Sequence, residues 1–380
     1  MSRFFDLVSK PAREMESHLP SVPSHQAASA ALPPPRLVKL DSNENPFGPS
    51  PRALEVIRSS LASASFYPDN DCTALREKLA AHHSLPPEQV LVTAGSTALL
   101  GLLCQTMLAP GRNAVTSVRS FIVYSMAVHA TGAQLIEVPM LGDGFDLEAI
   151  LRAINADTRL VFLANPNNPT GTILEATAVE KFLSQVPSHV VVVLDEAYYE
   201  FASHFASSRR IEYSRSLAHV RQGASVIVLR TFSKAHGLAG LRVGYGLGPA
   251  ELLDYCARMR NTFSVSSLAV AAAMAALDDK NHIGRVVSNN ATQAQFLQKA
   301  LTELGYRVPP TAANFVYCDL GEAAAGIASR LRDEGVSVRP LGSWGAPNCI
   351  RVTVGTPDQN QLFLNAAHKI SSASRRAIRI

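Results

Sequence analysis

The sequence predicts an α/β protein, with a large unit built on a mostly parallel sheet flanked by helices and a smaller α/β unit beyond it. Three observations carry this expectation. The β-like runs, such as "VVVVLD" and "ASVIVL", are apolar throughout rather than alternating, as in strands buried on both faces. Helical stretches separate successive runs, so helices can cover the sheet. Polar residues follow the runs directly, in "LVTAGST", "FLANPNNPTG", "VLDEAYY" and "VLRTFSK". In open parallel sheets ligands bind beyond the carboxyl ends of the strands, so these four edges are expected to line one pocket.

The elements follow in order. Residues 20–36, "PSVPSHQAASAALPPPR", are rich in Pro, Ala and Ser and read as an extended arm or linker. "QVLVTAG" is a strand that leads into a helical "STALLGLLCQTML". "NAVTSVRS" and "GAQLIEVPM" are strands on either side of the stretch around "YSMAVHATG". "RLVFLANP", "VVVVLDEAYYEF" and "ASVIVLRTFS" come next. From about Ser264 to Leu304 the chain is Ala-rich and then polar, consistent with long helices leading to a second unit. There "ANFVYCDL", "GVSVRPL" and "CIRVTVG" read as strands. The expected division is a large domain over residues 46–262, with an N-terminal arm (1–45) and a small domain (263–380).

Composition narrows the function. Of 380 residues, 47% are hydrophobic and 17% charged, which describes a soluble globular protein with a large core. The net charge of +4 is small for this length, and basic residues cluster only in "SSASRRAIRI", so nucleic-acid binding is not indicated. The five cysteines are far apart and form no C-x-x-C pair, so reduced thiols in a cytoplasmic protein are expected rather than a disulfide frame or metal site. The start, "MSRFFDLVSKPAREMESHLP", has charges throughout and no signal-peptide core. No apolar stretch approaches the roughly 20 residues that a bilayer span requires.

The motifs at the strand ends carry chemistry. Lys234, in "RTFSKAHGLAGLRVGYG", sits among small and apolar residues, where an ammonium must be paired, neutralised or used. Asp195 directly follows a buried-strand run; a protonated heterocyclic nitrogen is a natural partner for it, and capping the next helix is an equal alternative. Tyr198, three residues on, can project into the same site. "NPNNPTG" has ordinary turn chemistry, and Asn168 could also donate its amide to a ligand oxygen. Gly95, Ser96 and Thr97 join a strand to a helix, which makes either an anion site or a plain N-cap. Thr231, Ser233 and Arg242 add phosphate-capable donors. Together these groups supply an amine, a carboxylate, an amide donor, a phenol and a phosphate cradle. That set meets the needs of pyridoxal 5'-phosphate: an amine for its aldehyde, an anion site for its phosphate and a carboxylate for its ring nitrogen.

"NPNNPTG", "VVLDEAYYEF", "TFSKAHGLAGLRVGY" and "ANFVY" resemble fold-type I pyridoxal-phosphate aminotransferases, and within them the histidinol-phosphate aminotransferase group. The similarity runs from "LDSNENPFGPSP" to "IRVTVGTPDQN", and it implies an aspartate aminotransferase-like fold. By position, the resemblance implies that Lys234 is the Schiff-base lysine and that Asp195 pairs with the pyridinium nitrogen. Asn168 and Tyr198 would bond the cofactor's phenolic oxygen, and Ser96, Thr97, Ser233 and Arg242 would hold its phosphate. Phe121, in "SFIVY", would stack on the ring. Tyr67, in "FYPDN", would reach the neighbouring subunit's cofactor phosphate, which implies a homodimer. Arg351 would hold the α-carboxylate, with Arg339 a second arginine near the substrate or a surface charge at a strand end.

Three departures fall on substrate recognition. Thr97 and Ala98 stand where the group carries an acidic pair, "SHLPSVPSHQAAS" lacks the tyrosine of the usual "PYxPG" stretch, and His236 replaces an aromatic or apolar residue. A helix-start histidine near the cofactor is one reading of His236. The expected reaction passes an amino group from an amino acid, glutamate first, to a 2-oxo acid or a phosphorylated carbonyl compound such as imidazole-acetol phosphate. The alternative keeps the cofactor and makes the enzyme a decarboxylase of the threonine-phosphate type, or a lyase. A cofactor-binding regulator would need an attached DNA-binding module, and the segment before residue 40 shows no helix-turn-helix pattern.

Overall fold

Burial on both faces explains the large sheet. The computed structural model describes residues 7–14 and 37–377, with side chains to residue 371. The arm at 20–36 and the stretch "SHLPSVPSHQAAS" lie outside the described residues. The strands are β1 (Val38–Leu40), β2 (Val90–Thr93), β3 (Asn113–Ser117), β4 (Gln134–Val138), β5 (Thr158–Ala164) and β6 (Val191–Asp195). They continue as β7 (Val226–Thr231), β8 (Gly244–Leu247), β9 (Phe315–Asp319), β10 (Val336–Leu341) and β11 (Ala346–Thr353).

Seven strands form the large sheet in the order β2-β8-β7-β6-β5-β3-β4. The neighbours from β7 to β4 pair in parallel, and β8 runs antiparallel to both β2 and β7. The sheet is therefore mixed, with a parallel majority. Every residue of β2, β3 and β7 is buried. Each fully buried Val, Leu or Ile contributes about 1.5–3 kcal/mol, and this burial holds the strand ends in fixed positions. Strand β8, "GYGL", is an element that the sequence reading did not assign, because glycine weakens a strand signal.

The smaller sheet has the order β1-β10-β11-β9. Its three C-terminal strands pair antiparallel, while β1 from the N-terminal region pairs in parallel with β10. Antiparallel pairing places Arg339 directly opposite Arg351, so the two side chains share one face. Helices Ser267–Asp278 and Lys280–Glu303 connect the sheets, and each is capped from its first turn: Ser266 Oγ accepts from Ala269 N (3.1 Å) and Asp279 Oδ1 from His282 N (3.1 Å).

Separate apolar cores underlie the two sheets. The first contains the strands of the large sheet, and the second joins Leu40, Val316, Val352 and Phe363 to Phe205 from helix Tyr199–Arg209. Arg307, just ahead of β9, crosses to Asp143 between β4 and β5 at 2.5 and 3.2 Å. Among the described residues, no helix is long and apolar enough to cross a membrane, and no cluster of His, Cys, Asp and Glu could hold a metal ion.

Candidate active site

The carboxyl edge of the large sheet, the face of β10 and β11 and the segment Ser42–Glu44 enclose a cavity of about 460 Å³. This is an ordinary size for a small-molecule site. Lys234, Asp195, Tyr198 and Asn168 line it, as do Ser96, Thr97, Ser233 and Arg242. Phe121, Arg339 and Arg351 complete the set of sequence-selected residues on its walls. Tyr67 is the exception: it is 83% exposed and its ring stacks on Phe263 at 4.7 Å.

Asp195 ends β6, and its burial follows from the apolar run before it. Tyr124 Oη donates to its Oδ2 at 2.8 Å and Ala197 N to its Oδ1 at 3.2 Å. Burial pushes its pKa up to about 6, while the Tyr124 and Ala197 bonds work the other way. Lys234 follows β7 in a turn, and among the described residues its Nζ donates only to a carbonyl, that of Ser42 at 3.2 Å. Burial, then the positive charge of Arg351, brings the amine down to about 7, against a pull upward from Glu44. An amine so placed is substantially unprotonated at neutral pH and nucleophilic.

An anion cradle forms at one end of the cavity. Gly95 caps helix Ser96–Met107 with φ +82, a conformation that favours glycine. A Cβ built there would stand 2.5 Å from Arg242 Nη2, so the guanidinium lies against the backbone where the helix begins. Arg242 also donates through Nη1 to Ser233 Oγ (3.3 Å) and the Ala239 carbonyl (3.0 Å). Unsatisfied N–H groups at a helix start, the hydroxyls of Ser96, Thr97 and Ser233 and a guanidinium fit a phosphate.

At the other end stand the arginines. Arg351 Nη1 donates to Asn168 Oδ1 (2.6 Å) and Nη2 to the Asp41 carbonyl (2.9 Å), which also accepts from Arg339 Nε at 3.3 Å. The buried Arg351 Nε has no hydrogen-bond partner among the described residues. Burial, the largest effect, brings the Arg351 guanidinium down to about 10. Neither arginine forms a salt bridge to a carboxylate among the described residues, so their charge is available to an anionic ligand.

The sequence reading missed Tyr124, Asn43 and Trp344. Tyr124 lies in the stretch "YSMAVHATG", read only as the segment between two strands, and nothing local marks it as the partner of Asp195. Asn43, at φ +57, donates through Nδ2 to Tyr198 Oη at 2.9 Å, which leaves the phenol proton free to donate. Asn43 lies within the quoted "LDSNENPFGPSP", between Ser42 and Glu44, where nothing local marks it as the partner of Tyr198. Trp344 lines the cavity from the turn between β10 and β11.

His236 is corrected. It lies in a turn, not at a helix start, and outside the cavity wall. It is buried with its ring 4.8 Å from that of Phe232 and its Nε2 3.4 Å from Glu200 Oε1. Burial opposes the Glu200 carboxylate, but the His236 hydrogen bond and charge outweigh it and leave the Glu200 pKa below its usual value. The neighbouring Gly237, at φ +71, lies against the Gly48 carbonyl so closely that a Cβ would collide with it. This contact docks the 42–48 segment on the lysine loop.

A sheet edge carrying a reactive amine, a buried carboxylate and an anion cradle defines an enzyme that works through a phosphorylated carbonyl cofactor. The chain belongs to the aminotransferases of class I and II, whose family model matches residues 35–366. It is 43% identical over 368 residues to histidinol-phosphate aminotransferase 2 of Pseudomonas fluorescens (strain Pf0-1), covering 97% of this chain and 98% of that one. The protein of the same name in Pseudomonas aeruginosa is 42% identical over 371 residues, covering 97% and 99%. Among solved structures, histidinol-phosphate aminotransferase from Sinorhizobium meliloti in complex with pyridoxal-5'-phosphate superimposes with a TM-score of 0.83 at 30% identity. That match covers 95% of this chain and 99% of that one.

Proposed function

We propose that this pyridoxal-phosphate-dependent aminotransferase passes an amino group between glutamate and a phosphorylated carbonyl compound, with imidazole-acetol phosphate and histidinol phosphate as the partner pair. One observation carries the substrate reading: Arg339 and Arg351 stand side by side, with no salt bridge to a carboxylate among the described residues, in the same cavity as the Lys234 amine. Two adjacent guanidiniums suit a phosphate as well as a carboxylate, so one subsite can serve both half-reactions. The relatives' names support the same pair.

The residues divide the work. When bound, pyridoxal phosphate supplies an aldehyde for the amino group and a ring that draws electrons from the substrate carbon. Lys234 is the amine that would hold the cofactor, and the same Nζ would move the proton between the substrate Cα and the cofactor. Its pKa of about 7 suits both directions of that transfer. Asp195 would hold the protonated ring nitrogen, and Phe121 would flank the ring. Tyr198 and Asn168 donate to the phenolic oxygen: Tyr198 Oη already accepts from Asn43, and the Asn168 carbonyl oxygen from Arg351, which leaves their protons for the ligand. Ser96, Thr97, Ser233 and Arg242 hold the phosphate.

The two sheets and their cores support a large cofactor-binding domain over residues 46–262 and a small domain formed by 263–380 with the N-terminal arm. The exposed Leu61, Phe66, Tyr67 and Phe263 support a homodimer in which this face is covered and Tyr67 reaches the neighbour's cofactor phosphate. All five cysteines are buried free thiols, in keeping with the cytoplasm. The decarboxylase alternative is not favoured, since these relatives carry aminotransferase names.

The test is spectroscopic. Histidinol phosphate and glutamate should each convert the cofactor of the purified enzyme to its amino form, whereas Lys234→Ala should lose at least about 10³-fold in turnover. Conversion by glutamate and aromatic amino acids but not by histidinol phosphate would refute the substrate pair. Release of carbon dioxide from threonine phosphate would favour the alternative.

A further inference from the structure

We propose that Tyr124 is a positioning residue for this reaction, holding Asp195 ionised and in place through its hydroxyl and Phe121 in place through its ring. The inference rests on the function proposed above. Tyr124 lies in helix Val123–His129 and is fully buried. Its ring stacks on Phe162 of β5, with centroids 4.8 Å apart and planes 9° from parallel. It meets Phe121 edge-on at 5.6 Å and 89°. One side chain thus touches both the carboxylate assigned to the ring nitrogen and the aromatic residue assigned to the ring face.

The hydroxyl has a defined direction. Burial, then the neighbouring Asp195 charge, keeps the Tyr124 phenol far above its ordinary pKa, so it stays protonated and donates to Oδ2. Asp195 sits where burial alone favours the protonated carboxyl. A protonated Asp195 cannot pair with a protonated ring nitrogen, so a donor bond that favours the ionised form acts directly on cofactor binding. The other donor, Ala197 N, is backbone at 3.2 Å and leaves Oδ2 to Tyr124. A space-filling tyrosine would need only the Phe162 contact.

Tyr124→Phe keeps the ring and removes the donor. With the full-length enzyme and pyridoxal phosphate as probe, the dissociation constant at pH 7 should rise roughly tenfold. The acid-side inflection of cofactor binding, set in the wild type by Asp195, should move up by about one pH unit. Thermal unfolding of the apoenzyme should shift little. In an Asp195→Asn background the same substitution should add less than about twofold. Tyr124→Leu should lose more than Tyr124→Phe, and Tyr124→His, which keeps an N–H donor, should recover part of the Leu loss.

Unchanged affinity and inflection in Tyr124→Phe overturn the inference, as does an equal tenfold loss in the Asp195→Asn background. Should Tyr124→Phe not fold, equal losses in the His and Leu variants overturn it. The wild type separates the two readings: a wild type that binds no cofactor removes the proposed function as well, whereas normal wild-type binding with an insensitive Tyr124→Phe removes only the role of Tyr124.

Discussion

On the large-sheet wall of the cavity the polar groups are held by side-chain and backbone partners: Asp195 accepts from Tyr124 and Ala197 N, and Arg242 donates to Ser233 Oγ and the Ala239 carbonyl. On the small-sheet wall Arg351 and Arg339 lean on a carbonyl and an amide, and Arg351 Nε has no partner among the described residues. In the function proposed above, the first wall would fix a permanent guest and the second would keep positive charge open for ligands that come and go. The difference teaches that residues on one cavity can be prepared for residence or for turnover, and that the partners already present tell which.

The largest expected effect tests the small-sheet wall. Arg351→Lys keeps the charge but not the planar fork, so kcat/KM for amino-acid donors should fall about 100-fold. Cofactor affinity should hold; an equal loss in both quantities would erase the division between the walls. A smaller effect tests the other wall. Gly95→Ala puts a Cβ into the Arg242 guanidinium and strains a left-handed φ, so the cofactor dissociation constant should rise about tenfold, with KM for donors little changed.

The smallest effect is electrostatic. The folded pKa of Lys234 is about 7, below its ordinary 10.5, so between those values the folded apoenzyme binds fewer protons than the unfolded chain. Its stability therefore gains with pH across that window, and the cost of the buried ammonium is greatest below pH 7. Asp195, raised from 3.8 to about 6, makes the opposite contribution, a loss as pH rises from about 4 to 6. The rise in apoenzyme melting temperature from pH 7 to 9 should be steeper in the wild type than in Lys234→Met by roughly 1–2 °C. Equal slopes would mean that the amine is better solvated than its surroundings indicate.

The residues that could be read in advance sit where the signal is local. Asp195 ends an apolar strand, and Ser96, Asn168 and Lys234 lie just past the ends of three others, so position along the chain implied position in the fold. Tyr124 escaped because its hydrogen bond spans 71 positions and its helix has no polar pattern pointing to Asp195. Asn43 escaped likewise, since its partners Tyr198 and Thr353 come from remote parts of the chain. Strand β8 was hidden by its glycines, and β1 by its three residues. His236 was legible as an oddity, yet its partner Glu200 lies 36 positions earlier on a helix.

By itself the sequence determined the α/β class, the strand-end chemistry and the family, because apolar runs and their polar termini are properties of contiguous residues. Only the tertiary structure decided the rest: the antiparallel strand in the large sheet, the register that sets Arg339 beside Arg351, the tyrosine behind Asp195 and the depressed lysine. The reason is physical. Register, burial and the fields that shift a pKa depend on which distant segments meet, and no neighbourhood of the chain contains that information.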